Sequence, residues 1–197
     1  RGEAKLLLTR GVQVSYDKVQ VLFGVDIDVA AGEIVALLGT NGAGKSTLLK
    51  AISGVTEADR GAIVLDGRDI THAPPNEIAA LGIAQLPGGH AIFPGLTVRE
   101  NIEASQWLTK QEKQSGTPEA KESLQLFPEI LERWNEPAAN LSGGQQQMLG
   151  LAMALHTAPK VLMIDELSLG LAPAVVERIL PVIKQIAANG TAVIIVE

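Results

Sequence analysis

Cysteine is absent from this sequence, aromatic residues make up only 3% of it, and long hydrophobic runs are missing. Without cysteine, disulfides and thiolate metal sites are excluded, and the histidines lack the spacing of metal ligands. The longest apolar runs have about five residues, whereas a membrane-spanning helix needs roughly 20. We therefore do not expect the chain itself to cross a membrane. The histidines are His72, His90 and His156, and the apolar runs are Ile34–Leu38, Val161–Ile164 and Ala192–Val196.

A basic surface is also missing. The formal net charge is −6, and the 16 lysines and arginines are scattered along the chain. Proteins that bind nucleic acid usually cluster their basic residues on one face, so we expect no nucleic-acid partner. The 197 residues are 46% hydrophobic, which suits one domain with a sizeable core. Because the sequence runs from Arg1 to an apolar segment ending at Glu197, we expect both ends to be cut from something longer, the C-terminal part above all.

Short β-branched segments alternate with helical patterns along most of the chain. Strands that are apolar on both faces and separated by helices predict an α/β fold with a mainly parallel sheet and helices on both of its faces. The first sixty residues are richer in strand signals, and Asp66-Gly67 predicts a hairpin, so an N-terminal antiparallel β part is expected. The predicted strands are Leu6–Ser15, Val25–Val29, Ile34–Leu38, Ile63–Leu65, Ile83–Leu86, Val161–Asp165 and Ala192–Val196, and the predicted helices are Ser46–Ser53, Asn76–Leu81, Val98–Lys113, Glu119–Phe127, Gly143–His156 and Pro173–Ala188.

The strand signal disappears between residues 93 and 140, where charged helical sequence is interrupted by proline and glycine. This stretch predicts a helical subdomain, residues 93–140. It would be inserted into a core domain formed by residues 1–92 and 141–197. The N-terminal β part belongs to residues 1–92.

A glycine-rich segment fits the pattern G-x-x-x-x-G-K-[ST] and lies between a predicted strand and a predicted helix, which is the context that this phosphate-binding loop requires. Its backbone N–H groups and the helix N-terminus would hold phosphates. Lys45 would reach the β- and γ-phosphates, and Ser46 would bind Mg²⁺. A plain turn between strand and helix is the weaker alternative. The segment is Gly39, Thr40, Asn41, Gly42, Ala43, Gly44, Lys45, Ser46 and Thr47.

Two adjacent carboxylates, Asp165 and Glu166, follow the apolar segment Val161–Ile164. Ligands of open α/β sheets bind at the carboxyl ends of strands, so both carboxylates are placed for catalysis. Asp165 suits the Mg²⁺ shell, and Glu166 suits a general base that orients and deprotonates the attacking water. On its own this pair would indicate only a solvated strand end. Its combination with the phosphate loop favours the catalytic interpretation.

A second anion-binding helix start is predicted at Leu141-Ser142-Gly143-Gly144-Gln145, where Ser142 would cap the helix and the glycines would expose backbone N–H groups. This pentapeptide resembles the signature motif of ABC ATPases. The resemblance implies a P-loop NTPase that binds and hydrolyses Mg·ATP and works as a head-to-tail dimer with a second ABC ATPase domain. In such a dimer Ser142, Gly143, Gly144 and Gln145 of one subunit would close on the γ-phosphate held by the other.

Further segments resemble this family in the expected order. Tyr16 resembles the aromatic residue that stacks on adenine, although the only tyrosine of the chain equally suits the core. Ser168–Pro173 resembles the loop that contacts the partner subunit. The local sequences of residues 92–101, 126–133 and 168–173 resemble those of ATPases of branched-chain amino-acid importers and their amide and urea relatives.

The resemblance also implies a partner and a location. The ATPase would bind a transmembrane permease at the cytoplasmic face of the membrane, around Gly88–Phe93, without touching the transported solute. Two alternatives remain: an ABC ATPase that moves nucleic acid or protein complexes instead of a solute, and a regulatory domain that binds ATP but barely hydrolyses it.

Two positions depart from the family pattern. Gly88 stands where glutamine or glutamate is expected, and Gln85 lies three residues too early to replace it, so an ordinary strand residue is its simpler interpretation. Leu167 stands where proline is usual after the catalytic glutamate, which should be a minor change. The switch residue of the family would follow the strand that ends at Val196, and we expect it beyond Glu197.

Overall fold

The computed structural model describes residues 5–88, 91–107 and 124–197. The strands are β1 (Lys5–Tyr16), β2 (Val19–Ala30), β3 (Ile34–Leu37), β4 (Arg60–Leu65), β5 (Arg68–Asp69), β6 (Ile83–Leu86), β7 (Val161–Asp165) and β8 (Ala192–Val196). The helices are α1 (Lys45–Ile52), α2 (Pro75–Ala80), α3 (Val98–Trp107), α4 (Pro128–Leu131), α5 (Gly143–His156) and α6 (Pro173–Ala188), with a 3₁₀ turn at Ala138–Asn140. None of the helices in these ranges is long and apolar enough to span a bilayer.

The strands form two sheets. One is parallel, in the order β3-β8-β7-β6, and the other is antiparallel, in the order β2-β1-β4-β5. The hairpin predicted at Asp66-Gly67 joins β4 to β5, and both turn residues have positive φ, 51° and 78°. The predicted α/β fold, with a parallel sheet and an N-terminal antiparallel part, is confirmed.

The parallel sheet is buried on both faces because its central strands, β7 and β8, are apolar at every position except Asp165 at the end of β7. In β7, Val161 and Met163 pack into one core, whereas Leu162 and Ile164 pack into the other. Successive side chains of a strand point to opposite faces, so a run without polar residues fills both cores.

Helices cover both faces, as the sequence predicts. Leu49 of α1 shares a core with Val14 of the antiparallel sheet and Met163 of the parallel sheet, which places α1 between the two sheets. On the opposite face, α5 and α6 pack through Leu149 and Ile183. Buried residues of α3 and α4 join that same core, which therefore extends into the segment predicted to be a helical subdomain.

Several boundaries differ from the predictions. β2 begins at Val19 and not at Val25, because a tight turn at residues 17–18 pairs Val19 with Tyr16 and extends the ladder. The predicted helix Val98–Lys113 is observed as far as Trp107, and its remainder lies outside the described residues. Of the predicted helix Glu119–Phe127, residues 124–125 are helical, while the part before residue 124 lies outside.

The carboxyl ends of three parallel strands lie side by side. Leu37 of β3 pairs with Val196 of β8, and Val196 pairs with Asp165 of β7. The loops that follow these strands therefore meet at one edge of the sheet.

Candidate nucleotide site

A cavity of about 380 Å³ lies at this edge of the sheet. It brings together most of the predicted nucleotide, metal and catalytic residues, although these are far apart in sequence. The predicted residues that line it are Tyr16, Asn41, Gly42, Gly44, Lys45, Ser46, Thr47, Asp165 and Glu166. Gly39, Thr40 and Ala43 complete the loop that ends in the N-terminus of α1.

The loop before α1 depends on Gly44, which is the N-terminal cap of the helix and has φ 90° without a side-chain cap. A β-carbon at Gly44 would lie 2.7 Å from Leu22 Cδ2, so glycine is needed for space as well as for φ. Lys45 Nζ donates to the carbonyl oxygens of Gly39, at 2.6 Å, and Thr40, at 3.0 Å. The ammonium thus lies inside the curve of the loop, where it could contact a bound phosphate.

Asp165 is buried, with 9% of its surface exposed, and within the described residues its Oδ1 has no hydrogen-bond partner. A buried carboxylate oxygen without a partner is costly unless a cation or donor completes it. The half-buried Ser46 supplies a hydroxyl to the same cavity. One carboxylate and one hydroxyl fit a Mg²⁺ ion that takes its other ligands from phosphate and water. No cluster of three acidic, histidine or cysteine residues able to hold a metal occurs in the described part of the chain.

Glu166 is exposed at the rim of the cavity and has φ 51°, a left-handed conformation that is rare outside glycine. Its N–H donates to the Val196 carbonyl at 2.9 Å, and its carbonyl accepts from the Leu169 N–H at 3.2 Å. Both backbone groups are therefore fixed by neighbouring segments. An unusual backbone conformation of this kind often marks a functional position.

Tyr16 is 42% exposed and lines the cavity, so the alternative that it belongs to the core is wrong. Its hydroxyl lies 3.4 Å from Thr56 Oγ1. Hydrogen bonding to Thr56, and then to Thr47, lowers the pKa of Tyr16. These contacts hold the hydroxyl end of the side chain, and the residue as a whole stays exposed at the cavity.

The signature segment lies elsewhere. Ser142 caps α5 and forms a capping box with Gln145: the Gln145 N–H donates to Ser142 Oγ at 3.3 Å, and the Ser142 N–H donates to Gln145 Oε1 at 3.0 Å. Gly143 lines a separate cavity of about 120 Å³. None of the four signature residues lines the cavity of the phosphate loop, so this chain does not combine its two anion-binding helix starts into one site.

Five further residues line the cavity and were not predicted for it: Val21, Ser168, Leu169, Val196 and Glu197. Glu197 accepts from the Ser168 N–H at 3.1 Å and from Ser168 Oγ at 2.7 Å, so the carboxylate joins the end of β8 to the segment 168–173. Leu169, which follows Ser168, is 64% exposed. No sequence pattern signals the bond between Ser168 and Glu197, because the two residues are brought together only by the pairing of β7 with β8.

The departures from the family pattern have different surroundings. Gly88 lies against Glu166, whereas Gln85 lies in β6 and lines another cavity, so Gln85 does not replace a side chain at position 88. This agrees with its interpretation as an ordinary strand residue. Leu167 is 2% exposed and packs into the core to which α5 and α6 contribute. Packing thus takes the place of the backbone restriction that proline would impose.

The fold and the loop before α1 define the class: this is a P-loop α/β protein. A sequence profile of the ABC transporter family matches residues 22–168, and the chain belongs to that family. It is an ATPase of the ABC type, as the sequence predicts.

Sequence relatives and solved structures lead to the same family. The chain is 40% identical over 186 residues to the high-affinity branched-chain amino acid transport ATP-binding protein BraG of Pseudomonas aeruginosa, covering 94% of this chain and 79% of that protein. It is 34% identical to the xylose/arabinose import ATP-binding protein XylG of Sulfolobus acidocaldarius, covering 97% and 77%. A solved dimeric ATP-binding cassette in a post-hydrolysis state, bound to ADP and Pi, superimposes with a TM-score of 0.84 at 25% identity, covering 96% of this chain and 87% of that one. The resemblance to branched-chain amino-acid importer ATPases is confirmed.

Proposed function

We propose that this chain binds Mg·ATP in the cavity at the carboxyl ends of β3, β7 and β8 and hydrolyses it to drive solute import. The observation that carries the proposal is the convergence of the phosphate loop, Asp165 and Glu166 on one cavity of about 380 Å³. In this assignment the residues 39–47 hold the phosphates, Lys45 contacts the β- and γ-phosphates, and the exposed ring of Tyr16 stacks on adenine.

The charges of the cavity support a metal ion. Its lining residues include three carboxylates, Asp165, Glu166 and Glu197, and one ammonium, Lys45. A triphosphate would meet repulsion from these carboxylates unless a cation were bound with it. Ser46 and Asp165 are the residues that would hold Mg²⁺, which when bound neutralises phosphate charge. Glu166 would take the proton of the attacking water.

A second ATPase domain would complete the site. The signature residues Ser142–Gln145 lie outside the cavity, and hydrolysis needs donors on the γ-phosphate side as well. We infer that the signature of a second copy or of a related chain supplies them. The dimeric cassette to which this chain is similar supports that arrangement.

The partner in the membrane would be a permease, bound at the cytoplasmic face through residues 88–93 and the adjoining helical subdomain, 93–140. An apolar cavity of about 300 Å³ lies there, with residues from β6 and α5 in its walls, and the half-exposed Phe93 stands at its edge. This surface would transmit closure of the dimer to the permease. The higher identity to BraG favours branched-chain amino acids or related small amides as solutes over sugars.

The catalytic part is tested with Glu166→Gln, in which the side chain keeps its shape but cannot accept the proton. We expect Mg·ATP affinity to stay within about twofold while turnover falls at least a hundredfold, roughly 2.7 kcal/mol. Glu197→Gln is the matched control, because it removes the same charge from the same cavity, and it should keep most of the turnover. Hydrolysis at the parent rate by Glu166→Gln would remove Glu166 from the role of base.

The transport part is tested by affinity purification from the native cell. We expect a polytopic membrane protein to copurify with the parent chain, and Phe93→Asp to reduce its recovery while leaving Mg·ATP binding unchanged. Recovery of nucleic acid or a soluble complex in its place would indicate an ABC ATPase outside transport.

A further inference from the structure

Asn101, near the start of α3, is a polar residue with 0% of its surface exposed. A buried amide is costly unless its donors and acceptor find partners. Its Nδ2 donates to the carbonyl oxygens of Phe93 at 2.9 Å, Thr97 at 2.9 Å and Leu96 at 3.3 Å. Its Oδ1 accepts from the Phe93 N–H at 2.7 Å. Among the residues that the structure describes, every partner of this amide therefore lies in the loop 93–97.

One side chain thus holds both backbone groups of Phe93. The Phe93 carbonyl also accepts from the Leu96 N–H at 3.1 Å, but its N–H has no second partner in the described part of the chain. Phe93 itself is 53% exposed and stands at the edge of the apolar cavity of about 300 Å³. Asn101 therefore fixes, from the buried side, the backbone that carries an exposed aromatic ring.

The rest of the loop is held by a different segment. The Ala138 N–H donates to the Leu96 carbonyl at 2.8 Å, and the Ala139 N–H donates to the Pro94 carbonyl at 3.0 Å. These bonds do not involve the buried amide, so its removal would release Phe93 and leave the following residues attached. None of these described residues lines the nucleotide cavity. The effect of losing the amide should therefore be local to the exposed ring.

We infer that Asn101 is a positioning residue for the permease contact: it sets the place and direction of Phe93, which the permease then meets already ordered. The inference rests on the proposed function, in which the surface around Phe93 binds the permease. A side chain that is ordered before binding loses less conformational entropy when the partner arrives, and the affinity is higher for that reason.

The test compares Asn101→Ala with Val98→Ala in the full protein. Val98 is a matched control because it is also 0% exposed, lies in the same turn of α3 and packs in the core, but its side chain makes no bond to Phe93. Both substitutions should lower the melting temperature, since one leaves buried polar groups unpaired and the other leaves a cavity. Mg·ATP affinity and the turnover of the free chain should stay close to those of the parent in both.

The two variants should differ in binding to lipid vesicles that hold the membrane protein copurified with the parent. We expect Asn101→Ala to weaken this binding by about two- to tenfold, the range for one side chain that must be ordered on association. Val98→Ala should bind as the parent does. In a Phe93→Ala background, Asn101→Ala should weaken binding no further, because the ring that it positions is gone.

Amide hydrogen exchange of the parent gives a readout that does not depend on a variant folding. The Phe93 N–H should exchange slowly although the residue is exposed, because its acceptor is buried. The inference is overturned if this amide exchanges at an unprotected rate or if Asn101→Ala binds the vesicles as the parent does. Equal weakening by Val98→Ala, or a full effect of Asn101→Ala in the Phe93→Ala background, overturns it as well. Failure of the proposed function is seen separately, when the parent itself recovers no polytopic membrane protein.

Discussion

Helices α1 and α5 both begin at a glycine-rich turn, yet they satisfy their first N–H groups differently. The cap of α1 is Gly44, which has no side chain, and no side chain caps the helix. The cap of α5 is Ser142, which forms a complete capping box with Gln145. The start of α1 therefore keeps its donors for a phosphate, whereas α5 is already stabilised by its own residues. In the proposed dimer, the start of α1 would gain a phosphate as its ligand, whereas the start of α5 is already capped by its own side chains.

The largest effect is expected at the start of α1. Lys45→Ala should abolish turnover and weaken Mg·ATP binding, because Lys45 is the only side-chain cation in the residues 39–47. Turnover and equilibrium binding of a fluorescent ATP analogue measure the two effects. Lys184→Ala, an exposed lysine of α6, is the control and should change neither. Near-normal hydrolysis by Lys45→Ala would show that the phosphate loop has been misassigned.

A smaller effect, on stability, is expected within the signature. A β-carbon at Gly144 would lie 2.8 Å from Val175 Cγ1, whereas one at Gly143 would have no atom within 4 Å. Gly144→Ala should thus lower the free energy of unfolding by about 1–3 kcal/mol. Gly143→Ala should leave it equal or slightly raised, because alanine favours the helix. Denaturant unfolding distinguishes them, and equal stabilities would contradict the packing of α5 on α6. Adding Val175→Ala should recover part of the loss.

The cap of α5 should contribute about 1 kcal/mol. Ser142→Ala is expected to lower the unfolding free energy by that amount. Ser142→Asp keeps an acceptor for the Gln145 N–H and should restore stability, while its charge should weaken ATP-dependent dimerisation by repelling the partner's γ-phosphate. Denaturant unfolding and sedimentation in ATP, with both chains in the Glu166→Gln background, measure the two properties. Normal dimerisation of Ser142→Asp would place the signature away from the phosphate.

The smallest effect concerns how stability depends on pH, at the start of a third helix, α3. Thr97 and Glu100 form a capping box at the start of α3, because the Glu100 N–H donates to Thr97 Oγ1 and the Thr97 N–H donates to Glu100 Oε2. Hydrogen bonds from the Thr97 backbone and then its hydroxyl lower the pKa of Glu100. A lowered pKa in the folded state means that the carboxylate stabilises the fold above its unfolded pKa of about 4.3 and loses this contribution as the pH falls through the folded value. The amide of Gln145 does not titrate.

Glu100→Gln should therefore reduce the loss of melting temperature between pH 6 and pH 3 by a small amount, and Gln145→Glu should increase it. Thermal unfolding of the two variants beside the parent measures both changes. An unchanged pH profile in Glu100→Gln would show that the Glu100 carboxylate does not stabilise α3.

Local patterns in the sequence predict the parallel sheet and most of the cavity. β7 and β8 are observed with their predicted bounds, because strands buried on both faces are continuous apolar runs that end where the chain turns polar. The phosphate loop is recognisable because Gly44 and Lys45 meet requirements that few other residues meet. These signals are local, so one sequence is enough to read them.

Other features depend on contacts between distant segments. The first half of β2 was missed because Val19 and Phe23 are exposed and break the alternation of buried and exposed residues. The contact of Gly88 with Glu166 joins the loop after β6 to the residue after β7, and no pattern in either segment signals it. Strand order likewise cannot be predicted from local patterns, because periodicity indicates which residues are buried but not which strands are neighbours.

The position of β8 between β3 and β7 has a consequence for how the protein matures. Ile34 pairs with Val193, 159 residues later in the chain, so the phosphate loop is synthesised long before the strand that joins it to the acidic pair. Until β8 inserts, β3 has no partner in its own sheet among the described strands. Pairing over such a distance closes a very large loop and is slow. We therefore expect the proposed ATP site to be incomplete until β8 has paired, so nucleotide should stabilise the finished fold and not its early assembly.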